Sequence, residues 1–137
     1  MNITILLLVA AIFGILVLAI LARFAHKLPS RSLNKGYFYG RWTELLEHLQ
    51  SQQSMALAVI DADKLVDEAL RRRNFRGKTM GERLVAAQKV LSQNDSVWYG
   101  HKLRNRLVHE PAVRLKKQEV QQALNGFRQA LKDLGAL

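Results

Sequence analysis

The sequence contains no cysteine. That excludes disulfides, thiolate-bound metal and a thiol nucleophile together. Acidic residues are scarce, eleven against 21 lysines and arginines, and four histidines complete the titratable set. With two prolines and eight glycines the chain is neither collagen-like nor of low complexity. Its 137 residues suit one domain. No stretch has the alternation of a strand and no segment repeats, so the expected fold class is all-α. The most localised absence is of charge: nothing in the first 22 residues is charged.

Residues 3–22, from Ile3 through Ala22, read ITILLLVAAIFGILVLAILA, with Thr4 the one polar side chain. As a helix rising about 1.5 Å per residue they span roughly 30 Å, the thickness of a bilayer core. A buried core helix of that length would show a polar face, and this one has none. A cleaved signal peptide would need a basic start, a shorter apolar run and a small-x-small cleavage site. The run is therefore expected to be a retained transmembrane anchor, residues 1–25. No basic residue precedes it, whereas Arg23, Lys27, Arg31 and Lys35 follow it closely. The positive-inside rule then puts the C-terminal part in the cytoplasm of a single-pass inner (plasma) membrane protein.

Residues 26–41 are expected to be a juxtamembrane linker, broken by Pro29 and Ser30 and of turn composition from Ser32 to Gly36. Tyr37, Phe38, Tyr39 and Trp42 could lie among lipid headgroups beside Lys35 and Arg41, or pack on the soluble domain. From residue 42 to 137 the pattern is helical. A short amphipathic helix covers residues 42–49. A long one, which Ser54 can cap, carries Val59, Ala62, Val66 and Leu70 at three- and four-residue spacing, ending near Arg73. Thr79 to Glu82 reads as a capping box for a third helix through Leu84, Ala87 and Leu91. Asp95 or Ser96 is expected to cap a fourth, running to about His109 and stopped by Pro111. The last carries Val120, Leu124, Phe127 and Leu131 inside and stops at Gly135. Short connections between these helices predict an antiparallel bundle of four to five.

The charge is segregated as well. Residues 71–117 hold 13 lysines and arginines against three acids, so the entire net charge of +10 falls in that block. The candidates for a nucleic-acid surface are Arg71, Arg72, Arg73, Arg76, Lys78, Lys102, Arg106, Arg114, Lys116 and Lys117. The block begins almost fifty residues beyond the apolar run, which argues against a juxtamembrane electrostatic anchor. It surrounds the turns between helices, so the cations can converge on a phosphate polyanion, RNA or nucleotide, with salt-sensitive affinity. Solvated basic faces and a surface for anionic lipid headgroups are the alternatives.

Arg104 and His109 mark the end of the fourth helix, with polar Asn105 directly after the arginine. At 100° per residue the pair is about 140° apart, so it converges only where the helix ends or across a two-fold dimer. The residue types suit RNA cleavage without metal: an imidazole moves a proton and a guanidinium holds the charged phosphorane. The plain alternative is a helix-terminal histidine facing the macrodipole.

The stretch HKLRNRLVHEP, with Arg-Asn-x-x-x-His on a late helix of a small helical domain, resembles the HEPN superfamily. The resemblance covers the soluble bundle from about residue 54 to 134. It implies a bundle of four or so helices that commonly dimerises, in a group where many members are metal-independent endoribonucleases and others are non-catalytic binding or interaction modules. It also implies that Arg104 and His109 are the catalytic pair, that Asn105 is a polar helper, and that each pair faces its counterpart in a homodimer. The layout ADKLVDEAL, GKTMGERL, RNRLVHEP is similar to that of small membrane proteins of bacteria. The expectation is thus a membrane-anchored, RNA-binding HEPN-like protein with endoribonuclease activity, needing no cofactor or metal. A non-catalytic dimerisation module docking a partner protein is the alternative.

Other signals are weaker. Gly77-Lys78-Thr79 matches the end of a phosphate-binding loop but lacks its glycine-rich turn and strand, and helix capping explains Thr79. His48 with Glu44 and Glu47 fits an ordinary amphipathic helix better than a metal site. His101, one turn before Asn105, is grouped with the basic surface. Trp98 is expected in the core, and Asp61 and Asp63 on different faces of their helix.

Overall fold

The computed structural model describes residues 2–25, 32–110 and 112–137, and for Leu6 and residues 22–25 the backbone alone. Among the described residues the chain is entirely helical, without strands. It divides into two units, residues 1–30 and 31–137.

The first unit holds α1, Ile3–Ala25. Within it Ile3–Leu21 has a mean hydropathy of 3.2, has no buried side chain among the described residues, and is long and apolar enough to cross a membrane.

The second unit contains α2 (Lys35–Leu46) with a 3₁₀ turn (Glu47–Gln50), α3 (Met55–Arg72), α4 (Met80–Ala87), α5 (Asn94–His109) and α6 (Lys117–Asp133). α3 is central, in contact with α2, α4, α5 and α6. Contacts between helices show the relative directions of neighbours. Tyr37 and Arg72 meet at one end of α2 and α3, and His48 and Asp61 at the other, so the two run antiparallel. α5 and α6 do so too, because Gly126 abuts Ser96 while Arg106 reaches Glu119.

The packing follows from apolar periodicity. Val59, Ala62, Val66, Ala69 and Leu70 of α3 and Ala123, Phe127 and Leu131 of α6 are sealed in one core with Leu84, Val97 and Leu103. Each fully buried leucine or phenylalanine contributes about 1.5–3 kcal/mol by leaving water. α5 and α6 approach closely because Gly100 lies under the Phe127 ring and Gly126 under the Ser96 carbonyl.

Several local expectations change. The stretch expected as a linker is helical from Lys35 onward. Asn34 is the reason: its side chain accepts the Tyr37 amide at 3.0 Å and starts the helix. Phe38 is then completely buried and Trp42 nearly so, whereas Tyr39 stays exposed, so the aromatic cluster is divided between core and surface. Ser54 does not cap α3 with its side chain; its hydroxyl donates back to the His48 carbonyl. Thr79 caps α4 by accepting the Glu82 amide, but Glu82 accepts in return from Lys78, one residue before the cap. α4 ends at Ala87, ahead of Leu91, and α5 begins at Asn94 without a side-chain cap. α3 closes with Asn74 in the left-handed region (φ 60°) and the Phe75 amide bonded to the Leu70 carbonyl, a Schellman ending. The breaks expected at Pro29, Ser30 and Pro111 lie outside the described residues.

At the end of α6, Asp133 accepts from the Ser92 amide (2.7 Å), the Ser92 hydroxyl (2.8 Å) and Gln129 (2.9 Å). Partial burial works against this carboxylate, but the three donors outweigh it and hold its carboxyl below the ordinary aspartate value.

Candidate functional site

The polar centre of the domain lies between α3 and α5. Asp63, on the inward face of α3, is 3 % exposed. A buried carboxylate needs partners, and α5 supplies them. His101 Nδ1 is 2.8 Å from Asp63 Oδ1, and Arg104 Nε is 3.4 Å from Asp63 Oδ2. Arg104 Nη1 donates to Asn105 Oδ1 at 3.0 Å, and Asn105 Nδ2 lies 3.5 Å from His101 Nε2. The spacing 101, 104, 105 places all three on one stripe of the helix. Trp98, one turn earlier, sets its ring edge-on to His101.

A second bracket adjoins this one. Arg83, buried on α4, grips Asp67 through Nε (2.7 Å) and Nη2 (3.0 Å) and donates Nη1 to the Gly77 carbonyl. This bidentate pair fixes the short α4 and the loop before it against α3. Between the brackets opens a pocket of about 450 Å³, lined by Asp63, Lys64, Lys78, Arg83, His101, Arg104 and Asn105 among others. Arg83 faces Asp67, Arg104 faces Asp63, and Lys64 lies 3.6 Å from Asp61, so Lys78 is the lining cation without an ion pair among the described residues.

Of the three residues expected to form the catalytic set, the structure brings Arg104 and Asn105 together. His109 stands apart: it is exposed in the last turn of α5, and no hydrogen bond or ion pair joins it to Arg104 among the described residues. Within one chain the helix continues through the intervening turn, which keeps their 140° separation.

The basic block is partly neutralised through space by acids outside it. Arg71 pairs with Asp67 and Arg72 with Glu68, while Arg106 reaches Glu119 at 3.7 Å. Arg72 also lies over the Tyr37 ring, 4.7 Å from its centre. Arg73 is half-buried, whereas Arg76, Lys78, Lys102, Arg114, Lys116 and Lys117 are exposed and form no ion pair among the described residues. Of the ten cations expected at a nucleic-acid surface, those six are both exposed and free of ion pairs among the described residues.

Sequence reasoning missed Asp63, Asp67 and Arg83, and placed His101 on the basic surface. Asp63 at position 62–63–66 within an apolar stripe was the available signal, since a carboxylate on a core face must be paired. No family model, curated protein or solved structure matches this chain.

Proposed function

We propose that this chain is a membrane-anchored, HEPN-like RNA-binding protein of the bacterial inner membrane, with α1 as a single-pass span and the helical domain in the cytoplasm. In this reading the domain dimerises and cuts RNA without a metal ion, Arg104 holding the scissile phosphate and His109 transferring a proton. The observation that carries it is the pocket that Arg104 and Asn105 line together with Lys64 and Lys78. Guanidinium and ammonium groups around a cleft are what a phosphodiester in transit needs. Because Arg104 and His109 do not meet in one chain, the reading requires the histidine of a second copy, as a two-fold dimer can supply.

The second reading is a non-catalytic interaction module. It is favoured by the same separation of Arg104 and His109, and by Arg104 already having Asn105 and Asp63 as partners.

The test is cleavage of a mixed RNA by the full chain in detergent micelles with EDTA, with and without His109→Ala. The expected result is cyclic-phosphate ends from the wild type and a rate lower by about 10²-fold or more in the variant. Intact RNA from a folded dimer would remove the nuclease and leave the interaction module.

A further inference from the structure

Asn105 dictates how its neighbours carry their protons. A guanidinium only donates, and Arg104 Nη1 points at Asn105 Oδ1. The amide oxygen therefore faces Arg104, and the amide nitrogen, also a donor, faces His101 Nε2. That ring nitrogen must offer its lone pair, so the ring proton sits on Nδ1 and is donated to Asp63. With the amide in this orientation the ring proton is directed at a carboxylate that water scarcely reaches. Beside it, the Arg104 Nε is buried and has no well-directed acceptor, although Asp63 Oδ2 lies 3.4 Å away. A structural lock between α3 and α5 would need only the His101–Asp63 contact. It would need neither an imidazole lining the pocket beside Arg104 nor a buried guanidinium nitrogen without a directed acceptor.

We propose that His101, oriented by Asp63, is the proton acceptor of the RNA-cleaving site, in the pocket where Arg104 receives the phosphate. This rests on the RNA-cleavage reading and changes which histidine begins the reaction. His101 Nε2 takes the proton of the 2′-hydroxyl, and the 2′-oxygen forms a bond to phosphorus. The bond from phosphorus to the 5′-oxygen breaks, and that oxygen takes a proton from water. The imidazolium returns its own proton to the resulting hydroxide, so nothing else is consumed. The products are a 2′,3′-cyclic phosphate and a 5′-hydroxyl. Asp63 is a positioning residue: it fixes the ring and its tautomer and does not touch the RNA.

The experiment uses the full chain in lipid nanodiscs with ¹⁵N-labelled histidine. Ring nitrogens are followed by long-range ¹⁵N–¹H correlation while a 2′-fluoro oligoribonucleotide, which lacks the nucleophile and is not cut, is added. The free protein is expected to show His101 protonated on Nδ1. The oligonucleotide is expected to shift the His101 ring nitrogens, and Arg104→Gln to remove that shift. In the cleavage assay His101→Ala is expected to lose about 10²-fold or more, and Asp63→Asn a smaller factor with an altered pH profile. Bound oligonucleotide that shifts His109 and leaves His101 still overturns this inference while the Arg104–His109 reading stands. An oligonucleotide that does not bind at any salt concentration removes both. The correlation spectra of the unmutated protein decide between these outcomes even where a variant does not fold.

Discussion

A single methyl group at Gly126 should separate the two helices that carry most of the domain's packing. A β-carbon there would stand 2.3 Å from the Ser96 carbonyl oxygen and 2.6 Å from its carbon. Ordinary contact needs roughly 3.5 Å, so α5 and α6 must part by on the order of 1 Å. Both colliding atoms are main chain, which no side-chain rotation relieves. Overpacking of this kind costs about 1–3 kcal/mol, and a backbone collision belongs at the upper end. Alanine returns about 1 kcal/mol of helix propensity. The net loss for Gly126→Ala is then about 2 kcal/mol, a fall in melting temperature of roughly 10 °C for a domain near 100 residues. Gly40 supplies the opposite case: it lies exposed in α2, and nothing would come within 4 Å of its added carbon. Gly40→Ala should therefore stabilise by about 0.5–1 kcal/mol. Thermal unfolding of both variants, followed by far-ultraviolet circular dichroism in one detergent, gives the comparison. A Gly126→Ala protein melting at or above the wild type would refute the close approach of α5 and α6.

Two further predictions concern the edges of the domain. Phe38→Ala removes a completely buried ring from α2 and should cost about 3–5 kcal/mol; a loss below about 1 kcal/mol on urea unfolding would mean that α2 is a linker after all. The Asp133 carboxyl titrates below its ordinary value when folded, so its contribution is complete above about pH 4 and disappears as pH falls through the folded value. Asp133→Asn should accordingly melt below the wild type at neutral pH, the two curves converging as acid protonates the carboxyl; a gap that widened on acidification would contradict the hydrogen bonds from Ser92 and Gln129.

Much of the helical order was visible in the residue pattern. α6 shows its apolar stripe from Val120 to Leu131, and Gly135 adopts the positive φ of 74° that a helix stop needs. α2 was hidden because Ser32 to Gly36 read as a turn, while the cap at Asn34 is a single hydrogen bond that composition does not reveal. The site was half legible. Arg104 and Asn105 are neighbours on one helix, so spacing found them. Asp63 lies 38 residues from His101, and only the packing of α3 on α5 joins them. Charge counting overstated the basic block for the same reason: Asp67, Glu68 and Glu119 lie outside it in sequence and against it in space.

Asn105 has one oxygen and stands between two claimants. While the His101 Nε2 is bare, the amide gives that oxygen to Arg104. Once Nε2 gains a proton it confronts the amide nitrogen, donor against donor, and the amide must turn over. Its oxygen then serves the imidazolium and its nitrogen faces Arg104, which loses an acceptor at that moment. Asn105 would in this sense be a turnstile: in the proposed reaction the proton that charges the ring would free one arm of the guanidinium, so basicity on one side of the pocket and grip on the other would be exchanged rather than independently set.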